Sequence, residues 1–153
     1  MSVEVREVPV GDADALRLIG ESEAELASIY PPELRYALSP EQLMDIGARF
    51  VVARVDGVAM GCGGVAVFDG YAELKRIFTT RAARGRGVAK AIVAALEEIA
   101  KGAGLSVVRL ETGLASPEAI ALYKRLGYRE IGPFGEYEEN GSSVFMEKDV
   151  GRR

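Results

Sequence analysis

The stretch RAARGRGVAK, residues 81–90, places Gly85 and Gly87 among Arg81, Arg84, Arg86 and Lys90, directly before a long amphipathic run. A glycine lets backbone N–H groups approach a ligand where a Cβ would block it. A helix that begins there aims unsatisfied N–H groups and a partial positive charge at whatever lies in front. This combination suits an anion. Two common phosphate patterns do not fit: GxxxxGK followed by Ser or Thr is absent, and Gly85-x-Gly87 meets Lys90 where a dinucleotide fingerprint needs Gly or Ala. Gly61 to Ala66 does satisfy GxGxxA, but it falls inside a strand-like run with no helix after it, where glycines mark a bulge or a close backbone approach. Cys62 could be a nucleophile, yet the chain has no histidine to activate it.

The absence of histidine also excludes a Ser-His-Asp triad, a Cys-His pair and a His/Cys zinc site, and the single cysteine excludes an intramolecular disulfide. No metal is expected. Nineteen Lys and Arg stand against 23 Asp and Glu, a net charge of −4, so the basic cluster at 81–90 is local and a nucleic-acid partner is not indicated. The N-terminal residues lack a signal-peptide pattern and no stretch approaches 18 uninterrupted apolar residues, which gives the cytosol as the expected location and no membrane as the expectation. At 153 residues, 48% of them hydrophobic, one domain with a substantial core is expected.

The elements that must position the glycine turn follow from periodicity. VEVREV at 3–8 alternates as a strand. Asp12 caps helical segments reaching Tyr30, with Gly20 weakening the case for one unbroken helix, and Ser39-Pro40 starts a short helix to about 46. From residue 49 the period becomes two, and the turns Asp56-Gly57 and Asp69-Gly70 divide three antiparallel strands ending near residue 80. Val88, Ala91, Ile92, Ala95, Leu96 and Ile99 form one face of the helix after the glycine turn. LSVVRLET at 105–112 then returns parallel to the 71–80 strand in a βαβ unit. Ser116 and Gly127 bracket a last helix, and strands near 128–133 and 143–149 finish the chain. The predicted architecture is α/β in the α+β sense: a mixed, mostly antiparallel sheet of six to seven strands flanked by about four helices.

RGRGVA at 84–89 reads as Arg-x-x-Gly-x-Ala, and AIALYKRLGY at 119–128 carries Ala-x-x-x-Tyr-x-x-x-Gly-aromatic. With the strand ELKRIF before the turn and LET after the long helix, this order resembles the GNAT superfamily of acyl-CoA N-acyltransferases across residues 49–128. The resemblance implies acetyl-CoA as co-substrate, with its diphosphate wrapped by the backbone of Arg84, Gly85, Arg86, Gly87, Val88 and Ala89. It further implies that the backbone of Ile77, Phe78 and Thr79 aligns the thioester and pantetheine arm. Arg81, Arg84, Arg86 and Lys90 could add charge-assisted contacts to the cofactor's phosphates. Ser116 stands where many members carry a cofactor-contacting asparagine, and it reads first as a helix cap and second as a ligand.

An alkylammonium with a pKa of about 10.4 must lose a proton before it can attack a thioester. Glu73, 11 residues before Arg84, is similar in position to the glutamate base of histone-type members. The alternative is a carboxylate that anchors the acceptor or pairs with Lys75, Arg76 or Arg109. Tyr123 falls where many members carry the tyrosine that donates to the departing sulfur, the alternative being a core tyrosine. Glu111, Thr112, Glu136, Tyr137, Glu138 and Glu139 could line the acceptor side, with a solvated acidic loop as the other reading of 136–139. The expected function is N-acetyl transfer from acetyl-CoA to an amine of a small molecule or peptide by direct attack in a ternary complex; the alternative, from another class, is a non-catalytic acyl-CoA sensor. A homodimer is an expectation of the resemblance alone.

Overall fold

Strand β1 (Val3–Val8) opens a seven-stranded sheet in the computed structural model, which describes residues 2–35 and 37–151. Helix α1 (Ala13–Ile29) follows, capped by the Asp12 carboxylate, which accepts from the backbone N–H groups of Asp14 and Ala15. It is one helix, running through Gly20 without interruption. The cost of a mid-helix glycine, about 1 kcal/mol, is offset by burial of Ala15, Leu18 and Ile19 against the sheet. A 3₁₀ turn (Pro32–Leu34) leads to helix α2 (Pro40–Asp45), which opens on a capping box between Ser39 and Gln42.

Strands β2 (Arg49–Val55), β3 (Val58–Phe68) and β4 (Tyr71–Thr79) form the antiparallel meander the alternation predicts, turned first at Asp56-Gly57 with φ of 50° and 86°. Helix α3 (Val88–Gly102) crosses back to β5 (Val107–Gly113), which pairs parallel to β4 as the βαβ reading requires. Helix α4 (Pro117–Arg125), β6 (Arg129–Ile131) and β7 (Ser143–Asp149) complete the chain. The sheet order is β1-β2-β3-β4-β5-β7-β6. The last strand therefore lies inside β6, an insertion that no local pattern encodes.

Two cores cover the two faces. On one, Val88, Ile92, Val93 and Leu96 of α3 pack with Ala72, Leu74, Val108, Leu110 and Met146, and Tyr123 of α4 joins them. Each such apolar side chain contributes about 1.5–3 kcal/mol when fully buried. On the other, Leu18 and Ile19 of α1 pack with Leu43, Phe50, Val52, Cys62 and Phe78. The glycines of β3 exist for close approach: a Cβ on Gly61 would lie 2.8 Å from Val88 and one on Gly63 would lie 2.6 Å from Ile77. That answers the GxGxxA match, since these positions receive α3 rather than a nucleotide.

Register fails at one place in the meander. Cys62 pairs with Phe78, but Gly64 pairs with Lys75, so Arg76 and Ile77 share one partner position and Arg76 adopts φ 57°. This is a β-bulge. It turns Lys75 and Arg76 to the same face, that of α1, and moves the end of β4 out of line with β5.

Candidate active site

The parallel pair β4–β5 is registered at Ala72↔Val108 and Glu73↔Arg109, and beyond these residues the strands part. Between them lies a cleft of roughly 1140 Å³ lined by residues 73–79 of β4, residues 110–113 of β5, the glycine loop, α4 and the end of α1. Ile77, Phe78, Thr79, Arg84, Gly85, Gly87, Val88, Ala89, Ser116, Glu73 and Tyr123 all line it. A single cavity thus gathers nearly all of the residues singled out in the sequence.

At one end the loop leaves the helix N-terminus bare. Gly85 and Gly87 both hold φ 80°, a left-handed conformation that an L side chain adopts at a cost of about 1–2 kcal/mol, and among the described residues nothing beyond the chain neighbours lies within 4 Å of where a Cβ would stand on either. Gly87 is the N-cap of α3 and offers no side-chain cap. The first N–H groups of α3 have no capping partner among the described residues, and the positive end of the helix dipole lies behind them. Arg84 is committed elsewhere: its Nε donates to the Thr79 carbonyl at 3.1 Å and its terminal nitrogen donates to both Glu25 oxygens at 2.7 and 2.8 Å. Arg81, largely exposed, lies 3.7 Å from the same glutamate. Thr79 Oγ1 is buried on the cleft wall without a partner among the described residues. An anionic, hydrogen-bonding ligand fits the bare N–H groups and the orphaned hydroxyl alike.

At the other end Glu73 is 3% exposed. Its Oε2 accepts from Lys75 Nζ at 2.8 Å and from the Tyr137 hydroxyl at 2.5 Å, while Oε1 makes no hydrogen bond among the described residues. Of the three cations considered for it, Lys75 takes the pair. Arg76 reaches Glu23 at 2.7 Å and the Ile19 carbonyl at 3.0 Å, and Arg109 binds Glu147 at 2.9 Å and stacks on Tyr71. Tyr137 is held by the rings of Phe134 and Phe145, with centroids 5.1 and 5.4 Å away. Burial and the neighbouring Glu73 carboxylate push the Tyr137 phenol up, so it remains a donor. Glu136, Glu138 and Glu139 are exposed, so within 136–139 the solvated reading holds for the three glutamates while Tyr137 turns inward.

Glu111 lines the cleft from β5 and accepts from Ser143 Oγ at 2.7 Å. Burial raises its carboxyl above the ordinary range, against the Ser143 hydrogen bond, and the Glu73 charge adds to the rise. Two carboxylates thus line this end of the cleft, Glu73 ion-paired with Lys75 and Glu111 holding its proton more tightly than a free carboxyl does.

Tyr123 stands across the sheet from Glu73. It belongs to the core cluster that contains Ala72 and Leu74, whereas Glu73 and Lys75 alternate to the opposite face. Its ring packs edge-on to Tyr128 with centroids 5.9 Å apart, and its hydroxyl has no hydrogen-bond partner among the described residues. Burial pushes that phenol up. Ser116 occupies the N-cap position of α4, but at φ −119°, ψ 65° its side chain makes no capping bond; its Oγ lies 3.2 Å from the Tyr30 hydroxyl instead. The N-cap position is as expected, and its carbonyl accepts from the Ile120 N–H, but the side-chain capping bond is not made. Cys62 is fully buried with its thiol pushed up to about 12 by burial, the opposite of an activated nucleophile. No metal-binding group of His, Cys, Asp or Glu occurs among the described residues, and no described helix is long and apolar enough to cross a membrane.

Sequence reasoning missed Tyr30 and Glu25, whereas Lys75 was among the partners expected for Glu73 and takes that place. The spacing of two between Glu73 and Lys75 on a strand was a usable signal; the reach of α1 to the loop and to α4 had none.

Comparison with known proteins agrees with this fold. The profile of the Acetyltransferase (GNAT) family matches residues 16–128. An IAA acetyltransferase of Azospirillum brasilense is 40% identical over 147 residues, covering 95% of each chain. The structure of a Klebsiella pneumoniae protein provisionally named an acyl-CoA N-acyltransferase superposes with a TM-score of 0.81 at 31% identity, covering 97% of each chain. The PaiA N-acetyltransferase of Thermoplasma acidophilum in complex with coenzyme A shares the fold with a TM-score of 0.76 at 22% identity, covering 97% of this chain and 99% of that one. With its sheet, its cleft and its nearly full-length relative in agreement, the chain belongs to the GNAT family of acetyltransferases.

Proposed function

We propose that the protein transfers the acetyl group of acetyl-CoA to a primary amine of a small molecule or peptide, by direct attack within a ternary complex. The observation that carries this reading is the placement of the two polar groups. Glu73 and Tyr123 line one cleft from opposite faces of the sheet, at the point where β4 and β5 part. An amine can thus approach from the α1 face while the sulfur departs toward the α4 face, with the reacting carbonyl in the gap. The activated thioester supplies the acyl carbon.

The chain's own residues divide the remaining work. N–H groups at Gly85 to Ala89 receive the diphosphate, and the strand edge at Ile77 to Thr79 aligns the pantetheine arm and donates to the developing oxyanion. Glu73 Oε1 faces the acceptor, either to hold its ammonium or to accept its proton, directly or through a water. Glu111, its carboxyl already raised by burial, stands beside that path. As the C–N bond forms and the C–S bond breaks, the proton lost by nitrogen goes to the carboxylate end and the leaving thiolate takes a hydrogen bond from Tyr123. Tyr123 suits donation because its hydroxyl is not spent on another partner.

Thiol release from acetyl-CoA tests the reading, with a panel of spermidine, phenethylamine, free amino acids and N-terminal peptides as acceptors. At least one amine should give turnover stoichiometric with N-acetylated product. Release of no thiol across the panel by folded protein would refute it.

A further inference from the structure

Glu25 presents a physical problem. It lines the same cleft as the bare N–H groups of the glycine loop, and a carboxylate there opposes any phosphate that those groups attract. Arg84 resolves it by donating to both oxygens of Glu25 in one charge-assisted pair. The same guanidinium also donates through Nε to the last carbonyl of β4, at Thr79, and lies over the Phe78 ring at 5.9 Å. One side chain therefore ties the first residue of the loop to helix α1 and to the end of β4. Were Arg84 to turn toward a phosphate, it would leave Glu25 unpaired in an anion site and release the loop from both anchors.

We propose that Glu25 is a positioning residue for the cofactor loop: acting through Arg84, it fixes the start of the loop so that the N–H groups from Gly85 to Ala89 converge on the diphosphate. Arg84 is then a pin rather than a phosphate ligand. Arg81, 3.7 Å from Glu25, adds to the same neutralisation. The inference rests on the proposed acyl-CoA reading for its ligand, and on the geometry of α1 for its mechanism. With the Glu25 and Arg84 side chains 29% and 35% exposed, the pair is partly screened, and its loss should weaken binding by about fivefold rather than abolish it.

The test is calorimetric titration of the wild type, Glu25→Gln, Arg84→Gln and the double variant with coenzyme A and with 3′-dephospho-coenzyme A. The expected result is a loss of about fivefold in Glu25→Gln for both ligands, which locates the effect at the diphosphate. The double variant should bind no more weakly than Arg84→Gln, since the two residues act as one unit. Turnover of Glu25→Gln at saturating acetyl-CoA should stay within about twofold of wild type, a split between KM and kcat that general destabilisation does not produce. Tighter binding by Glu25→Gln would overturn the proposal, because it would mean that the carboxylate only repels and that Arg84 is a direct ligand. Additive losses would overturn it too. If wild-type protein binds neither ligand, the acyl-CoA reading fails, and the pin is judged by amide exchange at residues 84–89 without ligand. Faster exchange in Glu25→Gln supports it, and unchanged exchange refutes it.

Discussion

The two ends of the cleft are built in different ways. The proposed cofactor end is made of contiguous backbone: two left-handed glycines, a helix N-terminus and the edge of the preceding strand, all within residues 77–90. The proposed acceptor end is made of side chains brought from far apart, Glu73 and Lys75 from β4, Glu111 from β5 and Tyr137 from the loop before β7. A backbone site keeps its geometry under most side-chain changes and suits one chemical feature, which in the proposed reading is the diphosphate. A side-chain site can be rewritten position by position, which is where acceptor choice belongs.

That contrast makes the halves separable by mutation. The largest effect is expected for Glu73→Gln, which should lower turnover with a responsive amine by about 10²–10³-fold in a steady-state thiol assay, within the range of general acid–base groups. A change of less than about fivefold would move proton transfer to Glu111. Next is Gly87→Ala, which forces a side chain to φ 80° at the N-cap of α3. It should weaken acetyl-CoA by about tenfold or more, because the strain of about 1–2 kcal/mol falls on the N–H groups that bind. Tyr123→Phe keeps the packing against Tyr128 and removes the unpartnered hydroxyl. Roughly a tenfold fall in kcat, with acetyl-CoA affinity unchanged, is its expected signature.

The smallest effect concerns stability. Burial raises the Glu111 carboxyl in the folded protein, so the fold binds that proton more tightly than the unfolded chain does. Its contribution is fully present below the unfolded value near pH 4.3 and is lost as pH rises through the folded value. Glu111→Gln keeps an acceptor for Ser143 without the charge. It should therefore raise Tm by a few degrees at pH 7 and leave it unchanged at pH 4, as read by scanning calorimetry. A lower Tm at pH 7 would show that the carboxylate is net stabilising through Lys75.

Much of the cofactor end was legible in the sequence because its determinants are local. Gly85 and Gly87 signal positive φ, the face from Val88 to Ile99 signals the helix, and the helix forces the parallel return to β5. The acceptor end was legible only in part. Glu73 and Tyr137 stood out by type, but nothing near either residue shows that a hydroxyl 64 positions away meets the carboxylate. Ser116 shows the limit from the other side: Ser-Pro before a helix is a sound capping signal, and a tyrosine 86 residues upstream takes the hydroxyl instead. The bulge at Arg76 was also hidden. A non-glycine residue at φ 57° is held there by a side chain only 1% exposed, tied to Ile19 and Glu23 of α1, and those are tertiary contacts.

The most direct test of separability is one set of acetyl-CoA titrations by calorimetry on wild type, Glu73→Gln and Gly87→Ala. Equal affinity for wild type and Glu73→Gln, with Gly87→Ala weaker by about tenfold, is the predicted outcome. Affinity lost as severely in Glu73→Gln as in Gly87→Ala, or unchanged in Gly87→Ala, would contradict the division of the cleft into a backbone cofactor end and a side-chain acceptor end.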